Sequence, residues 1–441
     1  MSSLAGKKML VVLLIFLYVP YVRFIGFRTV GTSNVDFPTF YAGAKVTFEQ
    51  GRSPYTREAF ANDIDLLGEP AGEAVIGRFI PPFLYPPPSL LLFYPLTFFS
   101  FRTAKVLLFI LNHACVLPFV YIFLGKLIKD DFPSLVRDIV APLAFIYVML
   151  SFPVFANFKY GQINLIVLIL LCAFWYAFKN DKSPFLTALP LALAVLLKTY
   201  PIVLVPLLLF RRRFRVILWL FGILMIAAGA AYAVLPRGTW HDWVVNVLPT
   251  GGYGKDTFNL FSPAQARNHS INGFATRLLT PNRFSEPIWA NPLLGRALGY
   301  VLALVIGGLT LSASFFSGRR NSAAPPLSLE LSLYLIMMVL LAPLSWESHL
   351  VFAFPAVVLA LHMLAQEKGK LWWFAAVTLA ACLIAWPLPL DDPGLTRGLW
   401  TLLIPVKFYA LLIIWLYLVR AVWRSQSGRM EATAIAHAGD G

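Results

Sequence analysis

Long apolar runs alternate with shorter polar segments along most of this chain. An apolar run near 20 residues can cross about 30 Å of hydrocarbon as a helix. Turn signals fall between the runs rather than every ten residues, which excludes a membrane β-barrel. The pattern predicts an all-α polytopic membrane protein with about twelve transmembrane helices. The predicted spans are residues 8–26, 87–101, 104–125, 139–156, 163–178, 184–210, 216–235, 293–316, 327–343, 349–365, 371–388 and 398–420.

Two of these spans have unusual lengths. The run 87–101 is short and begins beside three prolines. The run 184–210 is overlong and contains Lys198 and Pro201 near its middle. Because proline removes a helical hydrogen bond, this second run predicts a broken or paired helix.

Two long polar loops, 27–86 and 236–292, separate groups of spans. Their mixture of aromatic, polar and turn residues predicts short interfacial helices, above all in the first loop. We expect residues 1–424 to form one membrane-embedded domain. The small, polar residues of 425–441 predict a disordered cytoplasmic tail.

The net charge of +15 arises mainly from basic residues in short loops. This distribution follows the positive-inside rule and indicates membrane lipids, rather than nucleic acid, as partners. The cluster Arg211–Arg213 should therefore face the cytoplasm, and both long loops should lie on the opposite side. The basic residues around 126–129 and 179–182 fit this topology less well, so the side of the Gly161–Gln162 turn stays open.

The sequence contains no motif for a metal or a cofactor. Its three cysteines all lie in apolar runs, and no zinc, nucleotide-binding or serine-hydrolase motif is present. We therefore expect neither a bound metal nor a cofactor.

Polar residues in or beside the apolar spans are the candidates for chemistry, because burying them is costly without a partner or a function. Asp36 is either a catalytic carboxylate or a helix cap. Lys198 either contacts a phosphate or extends to the membrane surface. Gln162 and Asn164 either line a site or join helices, and Tyr85 either binds a ligand or only begins a span.

Seven motifs occur in a fixed order. They are D-F-x-x-F/Y-x-A/G from Asp36, G-x-x-P-Y from Gly51, Y-P-P from Tyr85, G-Q-x-N from Gly161, K-x-x-P from Lys198, N-x-S-x-x-G-x-x-x-R from Asn268, and P-L-S-W-x-x-H from Pro343. As an ordered set they resemble bacterial glycosyltransferase family 87, over about residues 34–355.

The resemblance implies a GT-C fold, which is a helical bundle with its active site at the outer face. It implies a polyprenyl-phosphate-sugar donor, inversion at the anomeric carbon, and Asp36 as the base. His349, as a catalytic residue, would either lie close to the donor phosphate or assist the base. The implied substrate-binding residues are Tyr41, Tyr85, Gln162, Asn164, Lys198, Asn268, Ser270, Arg277, Trp346 and Glu347.

One departure affects the last motif. Many members of the family carry two adjacent histidines after the tryptophan, whereas this chain has Ser348 and His349 there, preceded by Glu347. Glu347 is therefore a second candidate acid.

The expected function is transfer of a sugar, mannose by family default, to a glycolipid or glycan acceptor at the outer face of a bacterial inner membrane. Two alternatives stay open. A transporter or flippase of lipid-linked sugars would also need charges within broken helices. A non-catalytic scaffold would explain the hydrophobicity but not the ordered polar set.

Overall fold

The computed structural model describes residues 23, 36–56, 80–123, 144, 146–256, 261–318, 327–366 and 371–439. Within these residues the regular structure is helical throughout. The α-helices are α1 (Phe37–Phe48), α2 (Ser89–Phe93), α3 (Phe101–Ile122), α4 (Phe152–Tyr160), α5 (Asn164–Lys179), α6 (Pro184–Leu197), α7 (Val205–Phe210), α8 (Phe214–Val234), α9 (Thr239–Asp242), α10 (Ile271–Leu279), α11 (Pro292–Gly318), α12 (Leu327–Leu341), α13 (Phe354–Gln366), α14 (Leu371–Ala385) and α15 (Val406–Gly439). The 3₁₀ segments are Tyr94–Phe98, Tyr200–Leu204, Leu248–Gly251, Glu347–Ala353, Pro393–Leu395 and Gly398–Leu403, and Trp243–Val247 is a π turn.

Several of these helices are suited to a membrane. Four segments of the described chain are long and apolar enough to cross one: α8, Pro292–Phe315, Glu347–Leu364 and Val406–Arg424. Helices α4 and α5 add a fifth if they count as one span, bent by 119°. The predicted all-helical membrane architecture is thus confirmed, while the count of twelve stays a prediction. Nearly all of the predicted first span, 8–26, lies outside the described residues.

The overlong run is interrupted where the sequence predicted. Helix α6 ends at Leu197, and Lys198 adopts an extended backbone with φ −148° and ψ 129°. A 3₁₀ segment with Pro201 in its first turn then leads into α7. The break leaves Lys198 at a helix end rather than within a continuous helix.

The last helix, α15, extends beyond its apolar part, Val406–Arg424, to Gly439. Residues 425–439 include several alanines, which have the highest helix propensity. The predicted division into one membrane domain and a cytoplasmic tail stays a prediction.

The first polar loop contains a helix, α1, whose surroundings differ from those of an interfacial helix. Ten of its twelve residues are buried. The Thr39 hydroxyl donates to the carbonyl of Pro81 at 3.0 Å, and the Tyr41 hydroxyl donates to that of Phe99 at 2.8 Å. A Cβ added at Gly43 would lie 2.8 Å from the Phe83 ring, so this contact requires glycine. The loop therefore packs onto α1 from several sides.

Two apolar clusters organise the packing. The larger one contains most of the buried residues of α5, α6, α12, α13 and α15. The smaller one surrounds α1 and includes Ile163, Leu235 and Val247. The smaller cluster thereby joins the first polar loop to the turn before α5 and to the segment after α8, where the polar candidates lie.

Candidate active site

A cavity of about 270 Å³ lies between the two polar loops and the helical bundle. We call it the Asp36 cavity. It is lined by backbone and side chains from α1, the proline-rich segment before α2, the α4–α5 turn, the break after α6 and the turn before α13. Six of the predicted site residues line it: Asp36, Tyr85, Gln162, Lys198, Trp346 and His349.

Asp36 lies immediately before α1, and its backbone N–H donates to the carbonyl of Tyr160 at 3.0 Å. Its side chain makes no capping hydrogen bond to α1, so the alternative of a simple helix cap has no support in the geometry. The carboxyl instead forms a hydrogen bond with the Gln162 side chain and lies near the Lys198 cation. The carboxyl of Asp36 therefore belongs to the cavity rather than to the helix terminus.

Gln162 is held by the sharp turn between α4 and α5. Gly161 ends α4 in the left-handed region at φ 67°, which glycine adopts without strain. The Asn112 side chain donates to the carbonyl of Gln162 at 2.9 Å. Because Gln162 contacts the carboxyl of Asp36, this turn lies at the same end of the bundle as the first polar loop. Its side, which the sequence left open, is thereby assigned relative to Asp36.

Lys198 is buried at the break after α6. Its Nζ donates to Gln162 Oε1 at 3.1 Å and lies 3.3 Å from His349 Nε2. The rings of Tyr85 and Tyr200 lie 5.6 and 5.8 Å from the same Nζ, within the range of a cation–π contact. Gln162 thus connects the carboxyl of Asp36 to the ammonium of Lys198.

The ring of His349 is oriented by its own turn. The backbone N–H of Trp346 donates to His349 Nδ1 at 3.1 Å, so the hydrogen of the neutral ring lies on Nε2. Nε2 and Lys198 Nζ are then two neighbouring donors facing one cavity. Two donors side by side are best satisfied by a shared acceptor, such as an anionic oxygen.

The acidity of Asp36 gives a prediction for pH dependence. Burial raises the pKa of this carboxyl from 3.8 to about 6, although Gln162 and Lys198 each lower it. A base must be deprotonated, so kcat/KM is expected to fall about tenfold per pH unit below about 6. An ordinary aspartate would show that loss only below about 4. A pH profile of kcat/KM measures this acidic fall. A flat profile down to pH 4.5 would contradict the assignment of Asp36 as the base.

A second buried polar cluster lies behind the wall of the cavity. Lys407 Nζ of α15 donates to Glu347 Oε2 at 2.7 Å, and His269 Nε2 lies 3.1 Å from Glu347 Oε1. All three side chains are buried. Glu347 does not line the cavity, but it directly follows Trp346, which does. Its predicted substrate-binding role stays a prediction. In the structure, the contacts of Glu347 with Lys407 and His269 fix the turn before α13.

The motif from Asn268 to Arg277 also lies outside the cavity wall. The Asn268 side chain accepts from the N–H of Ser345 at 2.9 Å, and Ser270 Oγ accepts from the N–H of Gly273 at 3.1 Å. Arg277 is fully buried, and its Nη1 donates to the carbonyl oxygens of Gln265 and Asn268 at 2.8 and 3.0 Å. Burial lowers the pKa of Arg277 to about 9. In this arrangement the motif joins the second polar loop to the turn before α13.

The two remaining predicted residues, Tyr41 and Asn164, are not part of the cavity wall, although Asn164 contacts the wall residue Tyr200. The Tyr41 hydroxyl is engaged with Phe99, and Asn164 Oδ1 accepts a hydrogen bond from the Tyr200 hydroxyl at 3.3 Å. For both residues, substrate binding stays a prediction.

Sequence reasoning missed several residues of the wall. The missed residues include Thr39, the aromatic residues Phe40 and Tyr200, and Trp243 and Phe261 of the second loop. Tyr200 lies beside the conspicuous Lys198, so its position was the available signal. Nothing local distinguishes Trp243 or Phe261 from other aromatic residues near a membrane.

In the part of the chain that the structure describes, the cavity thus combines one carboxylate, one amide, one cation, one imidazole donor and aromatic walls. This set can accept a proton at Asp36 and stabilise a negative charge beside Lys198 and His349. Among the residues that the structure describes, no group of three or more His, Cys, Asp or Glu side chains is placed to hold a metal ion.

Comparison with known proteins places the chain in a family. The sequence profile of glycosyltransferase family 87 matches residues 83–343, more than half of the 441 residues. The chain is similar to the polyprenol-phosphate-mannose-dependent alpha-(1-2)-phosphatidylinositol mannoside mannosyltransferase of Mycolicibacterium smegmatis, with 26% identity over 72% of this chain and 71% of the relative. The protein of the same description from Mycobacterium tuberculosis is 24% identical over 63% of this chain and 61% of its own length. The chain therefore belongs to glycosyltransferase family 87 and is a membrane glycosyltransferase.

Proposed function

We propose that this protein transfers mannose from a polyprenyl-phosphate donor to a hydroxyl group of a glycolipid or glycan acceptor, with inversion at the anomeric carbon. The observation that carries this proposal is the Asp36 cavity, where a carboxylate lies across Gln162 from the paired donors of Lys198 and His349. The names of the two relatives support mannose and a polyprenyl phosphate as the donor components. They act on phosphatidylinositol mannoside, a glycolipid, which supports that acceptor class.

In this mechanism Asp36 accepts the proton of the acceptor hydroxyl. The acceptor oxygen attacks the anomeric carbon from the face opposite the phosphate, and the bond between that carbon and the phosphate oxygen breaks. The polyprenyl phosphate leaves as an anion. Inversion needs one base and no carboxylate nucleophile, whereas a retaining enzyme uses a second carboxyl group. Among the residues that the structure describes, Asp36 is the one carboxylate of the cavity wall, which is consistent with this requirement.

Lys198 and His349 are proposed to bind the leaving phosphate. Fixed donors aimed at a developing negative charge are often the largest contribution to catalysis. Tyr85, Gln162 and Trp346 line the same cavity and are proposed to contact the sugar. The lipid tail would leave the cavity along the prolines 86–88, of which Pro86 is part of the wall.

We further propose a GT-C bundle of about twelve helices in a bacterial inner membrane, with the Asp36 cavity on the outer side. The support is the charge distribution: the cluster Arg211–Arg213 follows α7, at the end of the bundle away from Lys198. Basic loops favour the cytoplasmic side, so the cavity would open to the periplasm or the outside.

The test is transfer of radiolabelled mannose from polyprenyl-phosphomannose to a lipid extract by membranes that contain this protein. Labelled product that depends on the protein would support the proposal. Movement of the intact donor across sealed vesicles, without any product, would favour a flippase instead. Neither product nor transport, with several polyprenyl-linked sugars and with folded protein, would contradict both.

Replacing Lys198 by methionine is expected to lower kcat/KM about 10²–10³-fold, because the leaving phosphate loses a preorganised cation. The loss should appear in kcat, since the charge on the phosphate oxygen grows as the bond breaks. Lys255→Met is the matched control, because Lys255 is exposed in the second loop. Steady-state kinetics with the purified donor measure the effect. Equal activity of the two variants would remove Lys198 from the mechanism.

A further inference from the structure

A groove of about 500 Å³ lies at the end of the bundle away from the Asp36 cavity. Helix α6 begins at the groove and ends immediately before Lys198, so its 14 residues separate the two sites by about 21 Å. Helix α8 begins at the groove, and its 21 residues span about 32 Å toward the second polar loop. These lengths are comparable to the hydrocarbon thickness of about 30 Å. The groove therefore lies near the opposite membrane surface.

The groove has a large excess of positive charge. Its charged lining consists of Asp181, Lys182, Arg212, Arg213 and Arg215. Arg213 pairs with Asp181. Lys182, Arg212 and Arg215 are exposed and have no ion-pair partner among the residues that the structure describes. Neighbouring Arg211 is directed elsewhere, to the buried Glu330 of α12 at 2.6 Å.

The clustering of the cations in the groove, and not only their total charge, indicates a binding site. Membrane topology requires positive charge on one side, and a scattered distribution meets that requirement. Here three cations that have no acidic partner within the described parts of the chain line one concave surface. Guanidinium groups bind phosphate oxygens through parallel hydrogen bonds, and an anionic membrane surface attracts such side chains.

The apolar rim of the groove indicates where the phosphate comes from. Phe214 lines the groove and is 56% exposed. Leu186 is not part of the lining, but it directly precedes the lining residue Thr187 and is 54% exposed. A soluble phosphate would gain nothing from these side chains, whereas the acyl chains of a lipid would cover them. We infer that the groove binds the phosphate headgroup of an anionic phospholipid in the leaflet opposite the Asp36 cavity. This inference does not depend on the reaction proposed above.

Photolabelling of the unaltered protein tests the inference. The full chain, in phosphatidylcholine nanodiscs, would be irradiated with photoactivatable phosphatidylglycerol, and the labelled peptides mapped by mass spectrometry. Labels are expected on residues 181–187 and 212–216, with competition by unlabelled phosphatidylglycerol but not by phosphatidylcholine. Labels confined to other segments would overturn the proposal. Equal competition by inorganic phosphate would make the groove a site for soluble anions and would also overturn it.

Two triple variants that lose the same charge then distinguish binding in the groove from an effect of net charge. We expect the groove variant to lose at least about tenfold in labelling and the control to stay within about twofold, because each cation near a lipid surface contributes about one tenfold factor or less. Similar losses in both variants would overturn the site. A charge-preserving variant, in which two arginines of the groove become lysines, keeps the positive charge that directs membrane insertion. It should still lose labelling severalfold, because lysine lacks the planar guanidinium that binds two phosphate oxygens at once. The groove variant is Lys182→Gln/Arg212→Gln/Arg215→Gln, the control is Arg237→Gln/Lys255→Gln/Arg283→Gln, and the charge-preserving variant is Arg212→Lys/Arg215→Lys.

Discussion

Replacing Asp36 by asparagine is expected to lower kcat for glycosyl transfer by about 10²–10⁴-fold, which is the usual contribution of a general base. Asparagine has the same shape, and the bond from the backbone N–H of residue 36 to the Tyr160 carbonyl is unaffected. The amide cannot accept the proton of the acceptor hydroxyl. Initial rates with radiolabelled donor, at matched amounts of folded protein, measure the effect.

The control for this experiment is Asp391→Asn. Asp391 is also an aspartate in a polar loop, but it is exposed and pairs with exposed Arg267 at 2.7 Å. Its variant should keep its activity within about twofold, since exposed ion pairs contribute little. Full activity of the Asp36 variant would exclude this residue as the base. Glu347→Gln would then be tested next, because Glu347 was the second acid that the sequence offered.

The residues of the Asp36 cavity were largely predictable, because their chemistry is unusual where they lie. A carboxylate beside a membrane span and a lysine within an apolar run are costly, and each therefore indicates a function or a partner. The structure brings Asp36, Gln162 and Lys198 into contact although they lie more than 30 residues apart. The ordered motifs conveyed this proximity, which periodicity alone could not.

The buried contacts of Asn268 and Arg277 were less accessible from the sequence, and their predicted substrate-binding roles stay predictions. A polar loop residue looks the same whether it binds a substrate or a distant backbone group. Asn268 accepts a bond from Ser345, which is 77 residues away, and Arg277 bonds to carbonyl oxygens of its own loop. Only the folded chain reveals these partners. Such buried contacts satisfy backbone groups that an irregular loop would otherwise leave unpaired.

Helix boundaries were predictable where apolar runs had clear ends, but the number of spans was not. Helices α12 and α14 have 15 residues each, shorter than the roughly 20 that cross a membrane alone. Helices α4 and α5, which the sequence assigns to two separate spans, pass as one span only when they are taken together across their 119° bend. An apolar sequence indicates burial either in protein or in lipid. In a large bundle, the sequence of a short helix buried in protein therefore resembles that of a lipid-exposed span.

Lys407→Met is expected to destabilise the protein by about 3–5 kcal/mol, because it leaves the buried Glu347 without its lysine partner. It should also reduce activity, since Glu347 begins the 3₁₀ segment that carries His349 into the cavity. The melting temperature in detergent and the rate of sugar transfer measure the two effects. Arg397→Met is the matched control: Arg397 and Glu286 are both exposed and 3.7 Å apart, so the loss should stay below about 1 kcal/mol.

A double variant distinguishes a lost partner from a lost packing contact. Lys407→Met/Glu347→Gln removes both charges, so no carboxylate is left buried without its lysine, and stability should recover in large part. If Glu347 acts by holding the turn of Trp346 and His349, activity should recover with stability. If Glu347 contacts the substrate or supplies the base, the double variant should stay inactive although it is folded. A double variant no more stable than Lys407→Met would mean that this lysine stabilises α15 by packing alone.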